Sequence, residues 1–402
     1  MIFFREKRKI NLMKEKKRIL CINADLQSTN LGCAALGLSF VQVLREIAEK
    51  DHFHIEMSVL GYGRGKEYED KYISIHETVY FDLRNIKVWK YLKDNIAKAD
   101  LIVDFTGGDS FTDIYGMRRF CRESIVKELA IQSKAYFVLG PQTIGPFNNS
   151  AAKKIAEHLL LKSDYVFARD EVSNNYARNL GCDSVLTTDV AFMLQPTTNN
   201  YSSLNESTKI KIGINVSGLM MNGGYNSNNQ FGLKMDYKKF IDTLVRECLK
   251  ANYEVYLVPH VLPLHSPAED DYKALEQIHS VYPQTVLAPK FLSPKEAKEY
   301  ISYMNFFVGS RMHATIGSFS VEVPTIPVAY SPKFSRLFSS VGYNRVIDGK
   351  VTNEVDAVST ILDAIAHREE IKKEMQEPLN VIKSRNKDFV RKIRDILNNS
   401  AR

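Results

Sequence analysis

The sequence predicts an α/β fold built as two domains facing each other across a cleft. Three observations point that way. Short apolar runs of strand length alternate with helical stretches of about 10–15 residues, the pattern of a mainly parallel sheet covered on both faces. The 402 residues suit two domains at roughly 150 residues each. The alternation breaks once, at QPTTNNYSSLNEST (195–208), a polar, turn-rich stretch that is the best candidate linker.

The elements follow in order. RILCINA (18–24) reads as a first buried strand, and a helix follows over 34–50. HIEMSVL (54–60), ADLIVDF (99–105) and KAYFVLG (134–140) are further strands. A helix at 151–164 precedes YVFAR (165–169) and SVLTTDV (184–190). Beyond the linker a second series starts with KIGINVS (211–217), a helix over 237–251 and YEVYLVPH (253–260). A helix near 270–281, TVLAP (285–289), a helix at 294–304, NFFVGS (305–310) and VPTIPVAY (323–330) complete it. From about residue 355 the chain is helical and strongly charged. The resulting division is a basic leader (1–17) expected to be disordered, an N-terminal α/β domain (18–195), a C-terminal α/β domain (209–355) and C-terminal helices (356–402).

With 44% hydrophobic and 10% aromatic residues the chain can fill two cores, which excludes wholesale disorder. No apolar run approaches the roughly 18 residues of a membrane span, and the opening lacks the layout of a secretory signal. The expected setting is therefore cytoplasmic. The net charge of +7 is uneven: residues 1–18 hold eight Lys and Arg against Glu6 and Glu15, so the other 384 residues carry +1. A near-neutral body does not suit nucleic acid, which needs cations along a groove. The basic leader could instead touch anionic lipid at the inner membrane face, or be a frayed terminus. Five scattered cysteines without a CxxC fit reduced thiols. His52 and His54 have no third ligand at metal spacing, so no metal is expected.

In such sheets ligands bind beyond the carboxyl ends of strands, and four of these loops are unusual. Gly107 and Gly108, followed by Asp109 and Ser110, could bring backbone N–H groups against an anion, or simply make a tight turn. The loop from Gly140 to Pro146, containing Gln142 and Thr143, is rigid, with two glycines and two prolines in seven residues. Arg169 ends a strand with a guanidinium fork suited to a carboxylate or phosphate, and Asp170 is the natural cap of the next helix. The fourth loop is Gly309 to Thr315. Ser310 stands where an N-cap is expected, so Arg311 and His313 fall in a first turn that already attracts anions. A fixed cation beside a titratable imidazole suits a negative ligand undergoing proton transfer. Lys333 sits at the tip of the following strand. Asn30, Asp189 and His260, with Asp270 or Asp271, could line the same cleft.

Several of these loops together resemble the polysaccharide pyruvyl transferase family. The match spans about residues 18–345. It comprises Asn30 and Gly32, the glycines at 107–108, GPQTIGPF (140–147), ARDE (168–171), TTDVAF (187–192), VPH (258–260) and GSRMHA…VPTIPVAYSPK (309–333). Cys33 departs from the pattern, which often has Asp there. The resemblance implies two Rossmann-like domains facing a cleft, GT-B-like in arrangement. It also implies transfer of a pyruvyl group from phosphoenolpyruvate to a glycan or lipid-linked saccharide acceptor, with no cofactor beyond the donor. On it His313 is the general acid/base, Arg169 and Lys333 hold the donor's anions, and Arg311 supports the donor or pairs with a carboxylate. Gly107, Gly108, Asp109, Ser110, Gln142, Thr143, Asn30, His260 and Ser310 are the expected substrate-binding positions. Two other readings share the architecture: a GT-B-type glycosyltransferase using a nucleotide-sugar, and a non-catalytic glycan- or phosphate-binding protein. A nucleotide donor needs a base and ribose pocket, for which the sequence has no signature.

Overall fold

The computed structural model describes residues 15–61, 67–76, 78–80, 82, 84–263 and 266–399. The chain forms two compact units. The first takes the residues up to Ser28, Leu36–Val190 and those from Ser384 on; the second takes Thr29–Ala35 and Ala191–Lys383.

The first unit is a sheet of β1 (Lys16–Ile22), β2 (His54–Gly61), β3 (Tyr68–Glu69), β4 (Ile73–Ile75), β5 (Val79–Tyr80), β6 (Leu101–Asp104), β7 (Tyr136–Gln142), β8 (Tyr165–Ala168) and β9 (Val185–Leu186). Their order is β3-β4-β2-β1-β6-β7-β8-β9, with β5 beside β2. Only the β3–β4 pair is antiparallel among these. Helices cover both faces, which is why β6 and β7 are buried almost throughout instead of alternating. The helices start at polar caps: Asn149 accepts from the N–H groups of Ala151 and Ala152, and Asp170 accepts from Ser173 as the sequence suggests.

The second unit holds β10 (Lys211–Asn215), β11 (Glu254–Leu257), β12 (Val286–Leu287), β13 (Phe306–Gly309), β14 (Thr325–Ala329) and β15 (Ile347–Asp348). They are all parallel, in the order β12-β11-β10-β13-β14-β15. The chain winds outward one way from β10 and then the other way from β13, so the order reverses between these two strands. That is the doubly wound arrangement in which ligands bind at the reversal.

Four expectations change. Residues 1–14 lie outside the described residues, but the leader ends earlier than expected, because Lys16 and Lys17 belong to β1. Glu56 on β2 neutralises Lys16 at 2.5 Å and Arg18 at 3.2 Å, and Lys17 is itself buried. The stretch 195–208 is not a free connector. Glu299, buried on helix Pro294–Ser302, accepts from Thr197 Oγ1 (2.5 Å), Asn200 N (2.6 Å), Asn200 Nδ2 (3.0 Å) and Tyr201 N (3.2 Å). Buried Lys298 donates to the carbonyl of Leu194. The charged C-terminal helices are not a separate segment, because Gln376–Asn398 passes from the second unit to the first at Ser384. Its apolar stripe Ile382, Phe389, Ile393, Ile396, Leu397 is buried, Phe389 meets Phe167 edge-on at 5.1 Å, and Arg394 pairs with Asp51. Finally, helix Leu31–Asp51 is long and apolar enough to cross a membrane by length and composition. Two-thirds of its apolar window is buried inside the protein, with Phe40, Val43 and Leu44 in the core.

Glu299→Ala leaves two backbone N–H groups and two side chains without their acceptor. It is expected to destabilise the second unit by about 2–3 kcal/mol, with new protease cleavage inside 195–208. Limited proteolysis with denaturant unfolding checks this, and an unaltered digestion pattern contradicts it.

Candidate functional site

In the second unit the carboxyl ends of β10, β11 and β13 are tied together by two buried polar side chains. Asn215, the last residue of β10, donates from Nδ2 to Val258 O (2.9 Å) and accepts at Oδ1 from Arg311 N (2.8 Å). Asp271 opens helix Asp271–Val281 and is fully buried. Its carboxylate accepts from Gly218 N at 2.9 Å, His260 N at 3.2 Å and Val261 N at 2.9 Å. It also receives Arg311 through Nη2 at 2.7 Å and Nε at 3.1 Å. The guanidinium reaches Glu269 O as well (2.8 Å). Burial works against the Arg311 charge, but Asp271 outweighs it and holds the guanidinium pKa above its usual range. Arg311 is therefore a fixed positive charge; of the two roles the sequence leaves open, it takes the carboxylate pairing. Gly218 allows the close approach, since a Cβ there would lie 2.4 Å from Asp270 O.

The cap expectation at β13 is corrected. The helix is Met312–Ser320 and its N-cap is Arg311, with no side-chain cap bond. Ser310 is buried and its hydroxyl accepts from Tyr237 OH at 2.7 Å, so it props the loop instead of closing the helix. His313 is then the second residue of the helix, half-buried. A Cβ on Gly32 would lie 2.4 Å from His313 Nδ1, which explains why the loop at Asn30 carries a glycine. That loop is held by Asn30 Oδ1 accepting from Gly32 N (3.1 Å) and by Leu31 N donating to His260 O (3.1 Å).

His260 follows β11 and is 4% exposed. Neither of its ring nitrogens has a hydrogen-bond partner among the described residues. Burial, together with the charges of His313 and Arg311, pushes its pKa down to about 3, so it is a neutral imidazole. Buried polar groups are rarely left unsatisfied, and those that are mark places where a ligand or water completes the set. The structure thus brings together Asn30, His260, Ser310, Arg311 and His313. Lys333 stands in the first turn of helix Pro332–Ser340, half-buried, after Tyr330 has packed against Phe231 at 4.8 Å.

The first unit has its own cluster at the reversal between β1 and β6. Asp104 accepts from Asn23 Nδ2 (3.1 Å), Thr106 N (2.7 Å) and Thr106 Oγ1 (2.9 Å), and pairs with Lys127 at 2.8 Å. Both members of that pair are completely buried, which fixes a backbone with three consecutive positive φ values: 43° at Thr106, 59° at Gly107 and 84° at Gly108. Arg169 is 1% exposed, donates to Thr143 Oγ1 (2.9 Å) and pairs with Asp189 (2.9 Å). Its Nη2 is buried without a partner among the described residues, and a Cβ on Gly108 would sit 3.2 Å from Nη1. Gln142 is fully buried and donates from Nε2 to Asp104 O and Gly140 O, while its Oε1 has no partner among the described residues. Ser110 accepts from Arg119 (2.9 Å), while Asp109, half-exposed, accepts from Tyr115 OH (3.1 Å). Sequence reasoning missed Asn215, Asp104 and Lys127. A signal existed for Asp104, a carboxylate inside the apolar run LIVDF that needs a partner. Among the described residues no three His, Cys, Asp or Glu side chains gather as a metal site.

Solved structures share this fold at low identity. A putative UDP-N-acetylglucosamine 2-epimerase from Listeria monocytogenes superposes with a TM-score of 0.57 at 10% identity, covering 94% of this chain and 95% of that one. The Methanocaldococcus jannaschii UDP-GlcNAc 2-epimerase, in complex with UDP-GlcNAc and UDP, gives 0.51 at 11% identity over 87% and 93%. An E. coli trehalose-6-phosphate structure bound with UDP-2-fluoro glucose gives 0.52 at 9% over 96% and 100%. Together they define an α/β protein of two Rossmann-like units, GT-B-like in fold. No curated protein sequence matches the chain. The polysaccharide pyruvyl transferase family model matches residues 30–332, three-quarters of the length, and the chain belongs to that family.

The His260 shift has a signed consequence for stability. In the unfolded chain this histidine takes up a proton below about pH 6.5, whereas in the fold it resists until about 3. Unfolding free energy should therefore fall as pH drops through that window, with a slope of up to about 1.4 kcal/mol per pH unit from this group. Comparing urea unfolding of the native protein and His260→Gln between those limits isolates it; identical slopes would show that His260 is not buried neutral.

Proposed function

We propose that this chain moves a pyruvyl group from phosphoenolpyruvate onto two hydroxyls of a sugar in a cell-surface or exopolysaccharide precursor, forming a cyclic ketal and releasing phosphate. The observation that carries this reading is the placement of His313 in the first turn of a helix, next to an arginine whose charge is locked by a buried carboxylate.

The chemistry asks for a proton on the vinyl carbon, attack by a hydroxyl on the cationic centre that results, loss of phosphate and closure by the second hydroxyl. His313 is the group assigned to the proton. It lies at a helix N-terminus, which favours an anionic donor. His260, neutral at working pH, can offer a hydrogen bond to a bound oxygen without adding charge. Lys333, in the same unit as His313, is the group assigned to the donor's anionic groups. Asp109 and Gly107, half-exposed at the end of β6, are the members of their loop open to a saccharide. The proposal needs no cofactor beyond the donor and takes the reaction to be cytoplasmic.

Positioned acid–base catalysis contributes about 10²–10⁴ in rate. Phosphate release from phosphoenolpyruvate in the presence of a saccharide acceptor should fall by that factor in His313→Ala, with the fold retained. An unchanged rate in the variant would remove His313 from the mechanism.

A further inference from the structure

We propose that the outer face of helix Ile86–Lys98, in the first unit, docks the protein on an anionic phospholipid surface. The helix reads IKVWKYLKDNIAK and buries only Val88 and Leu92 in the core. The adjoining face follows the spacing 86, 89, 93, 96, one stripe of an α-helix that flanks the buried side, and its Trp89 and Ile96 pack partly against the core. Ile86 on that stripe is 78% exposed, far beyond what a core helix leaves uncovered. Trp89 and Ile96 are half-buried along it and, with Leu129 from the neighbouring helix Met117–Ile131, floor an open groove of ≈ 920 Å³.

Charge identifies the occupant. Lys90, Lys93 and Lys134 rim the groove, with Asp94 the single acid among its lining residues. An apolar trough ringed by lysines matches a surface with anionic headgroups above acyl chains. The lysine stems can lie along the apolar floor while their amines reach the headgroups, and tryptophan prefers that boundary. A second copy of the chain offers no charge match, since the same basic rim would face itself. This contact is independent of the basic leader and of the reaction assigned above.

Trp89 is the only tryptophan in the chain, so its emission reports this helix alone. The full chain is titrated with phosphatidylcholine vesicles and with vesicles rich in phosphatidylglycerol, some carrying brominated acyl chains. The expected result is a blue shift and bromine quenching of Trp89 with the anionic vesicles only. Lys90→Glu combined with Lys93→Glu, both at exposed positions, should weaken partitioning by about tenfold or more, and circular dichroism should confirm that the fold is intact. Ile86→Glu should likewise reduce the quenching. Sedimentation with anionic vesicles while Trp89 emission stays unchanged would overturn the proposal, because another segment would then hold the membrane. A vesicle-independent shift that grows with protein concentration would also overturn it, in favour of self-association.

Discussion

The second unit depends on the carboxylate of Asp271. It has no contact with solvent, yet it receives a guanidinium and three backbone N–H groups from the segments following β10, β11 and β13. Removing one member of such a buried pair typically costs about 3–5 kcal/mol, because the remaining charge is stranded in low dielectric. Three loops that would otherwise move separately therefore act as one rigid edge. That rigidity places Arg311, and through it the first turn carrying His313, within reach of the buried imidazole of His260. Asp271 holds the charge on Arg311 against its burial, while burial and that neighbouring charge keep His260 neutral.

The first unit solves the same problem with different residues. At its own strand reversal Asp104 is buried against Lys127 and accepts three further hydrogen bonds, two of them from Thr106. The strain of three left-handed residues in a row is carried by that network, since Thr106, unlike glycine, does not adopt a positive φ without compensation. The loop thereby approaches Arg169, whose guanidinium is satisfied on one side by Asp189 and Thr143 and has, among the described residues, an unmet N–H on the other. In each unit, then, a buried carboxylate fixes the loop beside a positively charged group.

Much of the fold was legible because buried parallel strands and amphipathic helices each leave a period in the sequence. The strands from β1 to β14 that lie in the two sheet centres were read to within a few residues. The short strands β3, β4 and β5, at two or three residues each, left no period to read, and the helices at Ile86–Lys98 and Met117–Ile131 were passed over. Motif spacing found His313, Arg311, Arg169 and His260, since these stand at strand ends. It could not tell that Arg311 is spent on a carboxylate, because the partner Asp271 lies 40 residues away. Ser310 was read as a cap from local preference, and the tertiary bond from Tyr237 overrode it. For Gln142, only the fold shows that its Nε2 is turned onto backbone carbonyls.

The central claim is that the positive groups of this protein are built for the two anionic groups of phosphoenolpyruvate. Titration calorimetry with that compound, set against UDP-, GDP- and CMP-sugars, tests it most directly when repeated on Lys333→Ala. Saturable binding of phosphoenolpyruvate, weakened in the variant, with no heat from the nucleotide-sugars, is the predicted result. Binding of a nucleotide-sugar with none of phosphoenolpyruvate would contradict the account and assign the site to glycosyl transfer.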